Sequence, residues 1–136
     1  MNERGKILSF EDLDVWKKAV AICVEIYEFF GKCRDYGFKD QICRSAVSIP
    51  SNISEGFDRQ TNKEFIQFLY IAKGSCAELW TQIYLAIEIK YLKKEQGIDL
   101  LNKAKEIGAM LNGLIKTRKK WKKDLGPRTS YLAPLT

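Results

Sequence analysis

The sequence predicts an all-α protein, an antiparallel up-down four-helix bundle whose second helix is kinked at Pro50. Apolar residues recur at spacings of three and four in four separate segments, and no convincing strand pattern stands between them. The segments are joined by short loops, which favours antiparallel neighbours. A chain of 136 residues suits one domain. The expected organisation is an N-terminal extension over 1–9, the bundle over 10–123, and a flexible tail over 124–136 that has two prolines and no periodicity.

The first helix opens at Ser9-Phe10-Glu11-Asp12, where Ser9 can cap and the acids complement the helix dipole. Leu13, Trp16, Val20, Cys23, Tyr27 and Phe30 form its stripe, which ends near Gly31. The second runs from about Phe38 to Gly56 with Phe38, Ile42, Ala46, Ile49 and Ile53 on one face. Pro50 lies inside it, where proline removes a hydrogen bond and crowds the preceding turn. Small neighbours, Ser45, Ala46 and Ser48, point to one kinked helix rather than two. Thr61-Asn62-Lys63-Glu64 fits a capping box and starts the third helix, which reaches about Tyr91. The fourth starts near Lys93 or Lys94 and reaches at least Lys120, with Leu100, Ala104, Ile107, Leu111 and Leu114 on its core face.

Composition narrows the function. The chain contains no histidine, which removes the commonest general base and metal ligand. Its four cysteines form no C-x-x-C pair, so no zinc site is expected; Cys23 and Cys76, on apolar stripes, are expected as buried free thiols, and Cys33 and Cys43 flank a loop where a disulfide is disfavoured by a reducing cytosol. The sequence has no nucleophile elbow, no phosphate-binding loop and no dinucleotide fingerprint. We therefore expect no catalytic residues, no metal and no cofactor. No apolar run approaches the ~18–20 residues of a membrane span. The polar N-terminus lacks a leader pattern, so a cytoplasmic location and no membrane partner are expected.

Helix three carries two apolar stripes. The first is Phe65, Phe68, Ala72, Cys76, Leu79, Ile83 and Ala86. The second is Ile66, Tyr70, Ala77, Trp80, Tyr84, Ile87 and Tyr91, turned by about 100°. Helix one repeats the pattern with Val15, Ala19, Ile22, Ile26 and Phe29 beside its first set. Both stripes could fill one thick core. Alternatively Ile66, Tyr70, Trp80, Tyr84, Ile87 and Tyr91 form a subunit interface, so a homo-oligomer is expected.

The formal charge of +6 is uneven. Residues 1–100 hold 14 Lys/Arg against 15 Asp/Glu, and residues 101–136 hold nine against two. Six cations fall within Lys116–Lys123. Such a run can be a solvated face that complements the helix dipole. It can also meet a polyanion, RNA or DNA, mainly through phosphates and with weak sequence preference. The candidate nucleic-acid contacts are Lys116, Arg118, Lys119, Lys120, Trp121, Lys122 and Lys123, with Trp121 either stacking on a base or plugging the bundle. Arg118 on the core stripe suggests that the helix overruns the core. The competing function is a protein-interaction scaffold that uses the Tyr/Trp stripe or the tail.

Several segments resemble a known family. Leu13-Asp14-Val15-Trp16-Lys17-Lys18-Ala19, the run Gln41 to Gly56, Lys63 to Leu69, Gly74 to Leu79, and Met110 to Lys116 are similar, in order, to the bacterial four-helix bundle family called ribosomal RNA intervening-sequence proteins. That resemblance implies a four-helix bundle assembling as a homopentamer. It also implies kinship with the accessory variability proteins of diversity-generating retroelements, basic pentamers that bind nucleic acid and a reverse transcriptase. It brings no catalytic residues. Cys43, Trp80 and Arg118 depart from the family pattern, and the extended basic end leans toward the retroelement accessory type.

Overall fold

The computed structural model describes residues 7–121. Four helices make up most of them: α1 (Asp14–Phe30), α2 (Tyr36–Phe57), α3 (Asn62–Glu88) and α4 (Lys94–Lys119). Each packs on its two neighbours, α4 closing back onto α1. Cross-helix pairs run in opposite senses, Ser48 with Ser75 and Gly56 with Phe68 between α2 and α3, and Glu25 with Lys103 and Lys18 with Glu106 between α1 and α4, so these neighbours are antiparallel. The all-α bundle is as the sequence predicts.

Local chemistry sets the boundaries. Ser9 does cap, but the cap belongs to a 3-10 turn, Phe10–Asp12, and α1 starts at Asp14. Asp35 accepts from the Phe38 N–H and starts α2 two residues before the expected Phe38. Thr61 accepts from the Glu64 N–H while its hydroxyl donates to the Glu64 carboxylate. α3 stops at Glu88, because Lys90 adopts a left-handed φ of 66° and the N–H groups of Tyr91 and Leu92 both turn back to the Ala86 carbonyl. α2 continues through Pro50 as one helix. A bend there stays an expectation from proline's missing N–H.

The core corrects the stripe chosen for α1. Val15, Ala19, Ile22, Ile26 and Phe30 are buried, whereas Tyr27 is half exposed and Leu13, Trp16, Val20 and Cys23 flank the core. The expected stripe and its neighbour are about 100° apart on the helix, and spacing alone does not say which one faces inward. Phe10 packs edge-on against Trp16 at 5.3 Å, so the 3-10 turn covers the flanking stripe locally. In α3 the first stripe is the core face except for Phe68, which is only part-buried, and Leu69 joins it.

α2 and α3 approach closely through small residues. Ser48 and Ser75 hydroxyls meet at 2.7 Å, and Asn52 donates to both the Ser48 carbonyl and its hydroxyl. Gly56 lies against Phe68, where an added Cβ would stand 2.5 Å from the phenylalanine Cβ and 3.2 Å from Phe65 Cδ1. All four cysteines are free thiols. Cys76 donates to the Ala104 carbonyl at 3.2 Å, and burial pushes its thiol up to about 11.

Gly56→Ala should therefore destabilise by about 1–3 kcal/mol through overpacking. Gly113→Ala, in a helix interior with nothing within 4 Å of the added Cβ, should instead stabilise by about 0.5–1 kcal/mol. Urea unfolding of the two variants checks the contrast; equal effects would contradict the close α2–α3 packing.

Candidate nucleic-acid interface

The end of α4 does not overrun the core. Leu111 and Ile115 are buried, and Arg118 is only 6% exposed. Its Nε donates to Asn62 Oδ1 at 2.8 Å, and the Asn62 amide donates to the Arg118 carbonyl at 2.8 Å. The guanidinium lies between the Phe65 ring, 5.1 Å from its centroid, and the Trp121 ring at 3.3 Å. Burial pulls its pKa down to about 10, so it stays cationic at neutral pH. The reason for the correction is that α3 begins directly opposite: Asn62 and Phe65 extend the bundle by one more layer. Arg118 is thus a structural clamp, and Trp121 is stacked on it rather than open to a base.

Lys116, Lys119 and Lys120 are exposed. Lys120 is the C-cap of α4, past its last helical residue. Lys122, Lys123 and the tail over 124–136 lie outside the described residues. Lys119 donates to the Tyr70 hydroxyl at 2.5 Å and stands 5.0 Å from the Tyr70 ring centroid. One feature the sequence reading missed follows from this pairing: the lysines of α4 reach the aromatic side of α3. Lys105 sits 5.2 Å over the Trp80 ring, and Lys73 of α3 lies 6.0 Å from Tyr70. An antiparallel register, in which residue numbers on facing helices rise in opposite directions, would have brought these pairs together on paper.

The second stripe of α3 divides. Ile66 and Ile87 pack against the core, and Ile87 fills the space above Gly97, where an added Cβ would strike it. Tyr91 is held at the opposite end of the bundle, its hydroxyl donating to Asp35 Oδ2 at 2.8 Å and its ring edge-on to Phe38. That bond and the Phe38 N–H hold the Asp35 carboxyl below its ordinary pKa. Tyr70, Trp80 and Tyr84 remain outward, at 44%, 37% and 55% exposure. Two of the three rings carry a lysine beside them, an arrangement that a self-interface would have to desolvate.

Charge on α4 is sorted by side. Lys103, on the α1 side, pairs with Glu25 at 2.8 Å and with Asp99 at 3.0 Å, and Glu106 meets Lys18 of α1. Glu106 thus turns toward α1, Lys105 and Lys119 meet rings of α3, and Lys116, eleven residues after Lys105, falls on the same side by helical spacing. The other notable depression, about 590 Å³ between α1 and α2, is lined by both Lys39 and Arg44 and by Asp40 and Glu55, so it offers no single sign of charge. Among the described residues no cluster of His, Cys, Asp and Glu could hold a metal, and no helix is long and apolar enough to cross a membrane.

The family model for 23S rRNA-intervening sequence proteins matches residues 11–113. The chain belongs to this family. A crystal structure of a protein of unknown function from the S23 ribosomal protein family of Bacteroides thetaiotaomicron is 32% identical, with a TM-score of 0.71 over 76% of this chain and 99% of that one. No curated protein matches. The family match ends at residue 113, just before the lysines of the basic end, so membership accounts for the bundle and leaves that end to be explained by its own residues.

Asn62→Ala should lower stability by about 1–3 kcal/mol, because it leaves a buried guanidinium short of its acceptor. The shift of the urea midpoint reads this; a loss under about 0.5 kcal/mol, the size of an ordinary surface change, would contradict the clamp.

Proposed function

We propose that this chain is a non-enzymatic, self-associating, nucleic-acid-binding protein that grips phosphates with the basic end of α4. The observation that carries the reading is the sorting of charge: Lys116, Lys119 and Lys120 are exposed at one end of the bundle, while Glu106 pairs with Lys18 of α1 and Asp99 with Lys103, both away from that end. Such a surface attracts polyanions and releases their counterions. The family name refers to intervening sequences of 23S rRNA, which makes RNA the first nucleic acid to test. Arg118 has a structural part in this reading, holding the last turn of α4 in place. The narrower setting, a retroelement accessory protein with a reverse transcriptase as partner, is favoured by the basic end beyond the family match; a reverse transcriptase gene beside a template repeat in the neighbouring DNA would decide it.

Self-association, as the pentamer expected from the resemblance, is supported by large apolar side chains exposed away from the lysines. Ile71, Leu85 and Ile89 on α3 are each about half exposed, at 50%, 49% and 47%, and Tyr27 and Val47 share the α1–α2 depression. These side chains also suit the second reading, a scaffold for another protein with no nucleic-acid role. Sedimentation at micromolar concentration separates the cases, since a monomer contradicts self-assembly.

For the nucleic-acid half, the triple variant Lys116→Gln, Lys119→Gln, Lys120→Gln should bind a fluorescein-labelled RNA stem-loop at least about tenfold more weakly at ~0.1 M salt, and the log–log salt slope should fall by about 2–3. Fluorescence anisotropy measures both. Absent binding, or binding indifferent to salt, would overturn the reading in favour of the scaffold.

A further inference from the structure

The exposed rings of α3 and the lysines of α4 form one surface, and we propose that it is a platform for single-stranded nucleic acid. This rests on the nucleic-acid reading above and specifies the form of ligand. Tyr70 and Trp80 stand on the same side of α3, about 15 Å apart along the axis at 1.5 Å per residue. Each has a lysine of α4 beside it, Lys119 at the hydroxyl edge of Tyr70 and Lys105 over Trp80. By helical spacing the turns between them carry Ala77 on α3 and Ala109 on α4, small side chains that leave the saddle between the rings shallow.

The chemistry selects the ligand. An exposed ring takes an unpaired base by stacking once the flexible lysine on it swings aside, whatever the base, because every base has a π-face. A base inside a duplex is already stacked on both sides and offers its face to nothing. A lysine beside the ring stands where the phosphate next to a stacked base would lie, so the two contacts reinforce each other. The charge pattern excludes the opposite occupant. Glu106 pairs with Lys18 of α1, Asp99 pairs within α4 with Lys103, which itself reaches Glu25 of α1, and the stripe from Tyr70 to Tyr84 contains no acid. A second copy of this chain laid on the same face would bring lysine to lysine and bury both. A protein partner with an acidic face would find the lysines but would gain little from flat rings spaced along a helix.

The test compares a fluorescein-labelled oligouridine with a GC-rich RNA duplex of equal length, using the full chain at fixed salt. Wild type should prefer the single strand. Tyr70→Leu and Trp80→Leu should each weaken oligouridine binding by about tenfold, the size expected for loss of one stacked base, and leave duplex binding within about twofold. Lys105→Gln, which removes no ring and no core contact, should weaken oligouridine binding as well, and it keeps the proposal testable should a ring variant fold poorly. Equal affinity for strand and duplex, with both ring variants indifferent, would overturn the platform while the lysine-end reading stands. Loss of all binding in wild type would instead overturn the underlying reading. A change in oligomeric state on Trp80→Leu, with oligouridine affinity unchanged, would show the face to be a contact between copies and would also overturn the proposal.

Discussion

A nearly dry guanidinium holds the end of the bundle on which the rest of the surface depends. Arg118 is clamped by Asn62 and lies between Phe65 and Trp121. Taking such a charge from water costs several kcal/mol. A hydrogen bond to a charged group returns about 1.5–3 kcal/mol, and a desolvated cation over a ring about 2 kcal/mol. These terms are of similar size, so the clamp adds little net stability. What it supplies is position. With the last turn of α4 fixed to the first turn of α3, Lys119 meets Tyr70, and the register that follows along the two helices sets Lys105 on Trp80. The far end of the same seam is closed by Ile87 over Gly97.

The helices and their type were legible because periodicity and caps are local signals. Thr61 and Glu64 start α3 as the capping pattern implies, and the core faces of α2, α3 and α4 follow their stripes. α1 was not legible in the same way. Its two apolar stripes are equally regular, and which one faces inward is decided by α2 and α4, not by α1 itself. Arg118 misled for a related reason. A charged residue on a core stripe reads as the end of the core, since sequence spacing does not reveal that Asn62, 56 residues earlier, waits opposite it. The lysine–aromatic pairs are equally non-local: Lys119 and Tyr70 are 49 residues apart.

The functional candidates changed shape accordingly. The sequence separates an aromatic stripe on the third helix from a basic run on the fourth and gives them different tasks. In the folded chain they adjoin. The stripe loses Ile66 and Ile87 to the core margin and Tyr91 to a clip with Asp35, and the basic run loses Arg118 to the clamp. What remains outward, Tyr70, Trp80 and Tyr84 beside Lys105, Lys116 and Lys119, is smaller than either set and chemically more coherent. Membership of the 23S rRNA-intervening sequence protein family covers the scaffold that carries this face, while the match stops before Lys116.

The measurement that tests this account most directly is ultraviolet cross-linking of the bound oligouridine followed by mass spectrometry of the attached peptides. The cross-links are expected on α3 around Tyr70 and Trp80 and on the α4 segment from Lys105 to Lys120. Cross-links confined to the α1–α2 side, around Tyr27 and Val47, would contradict it.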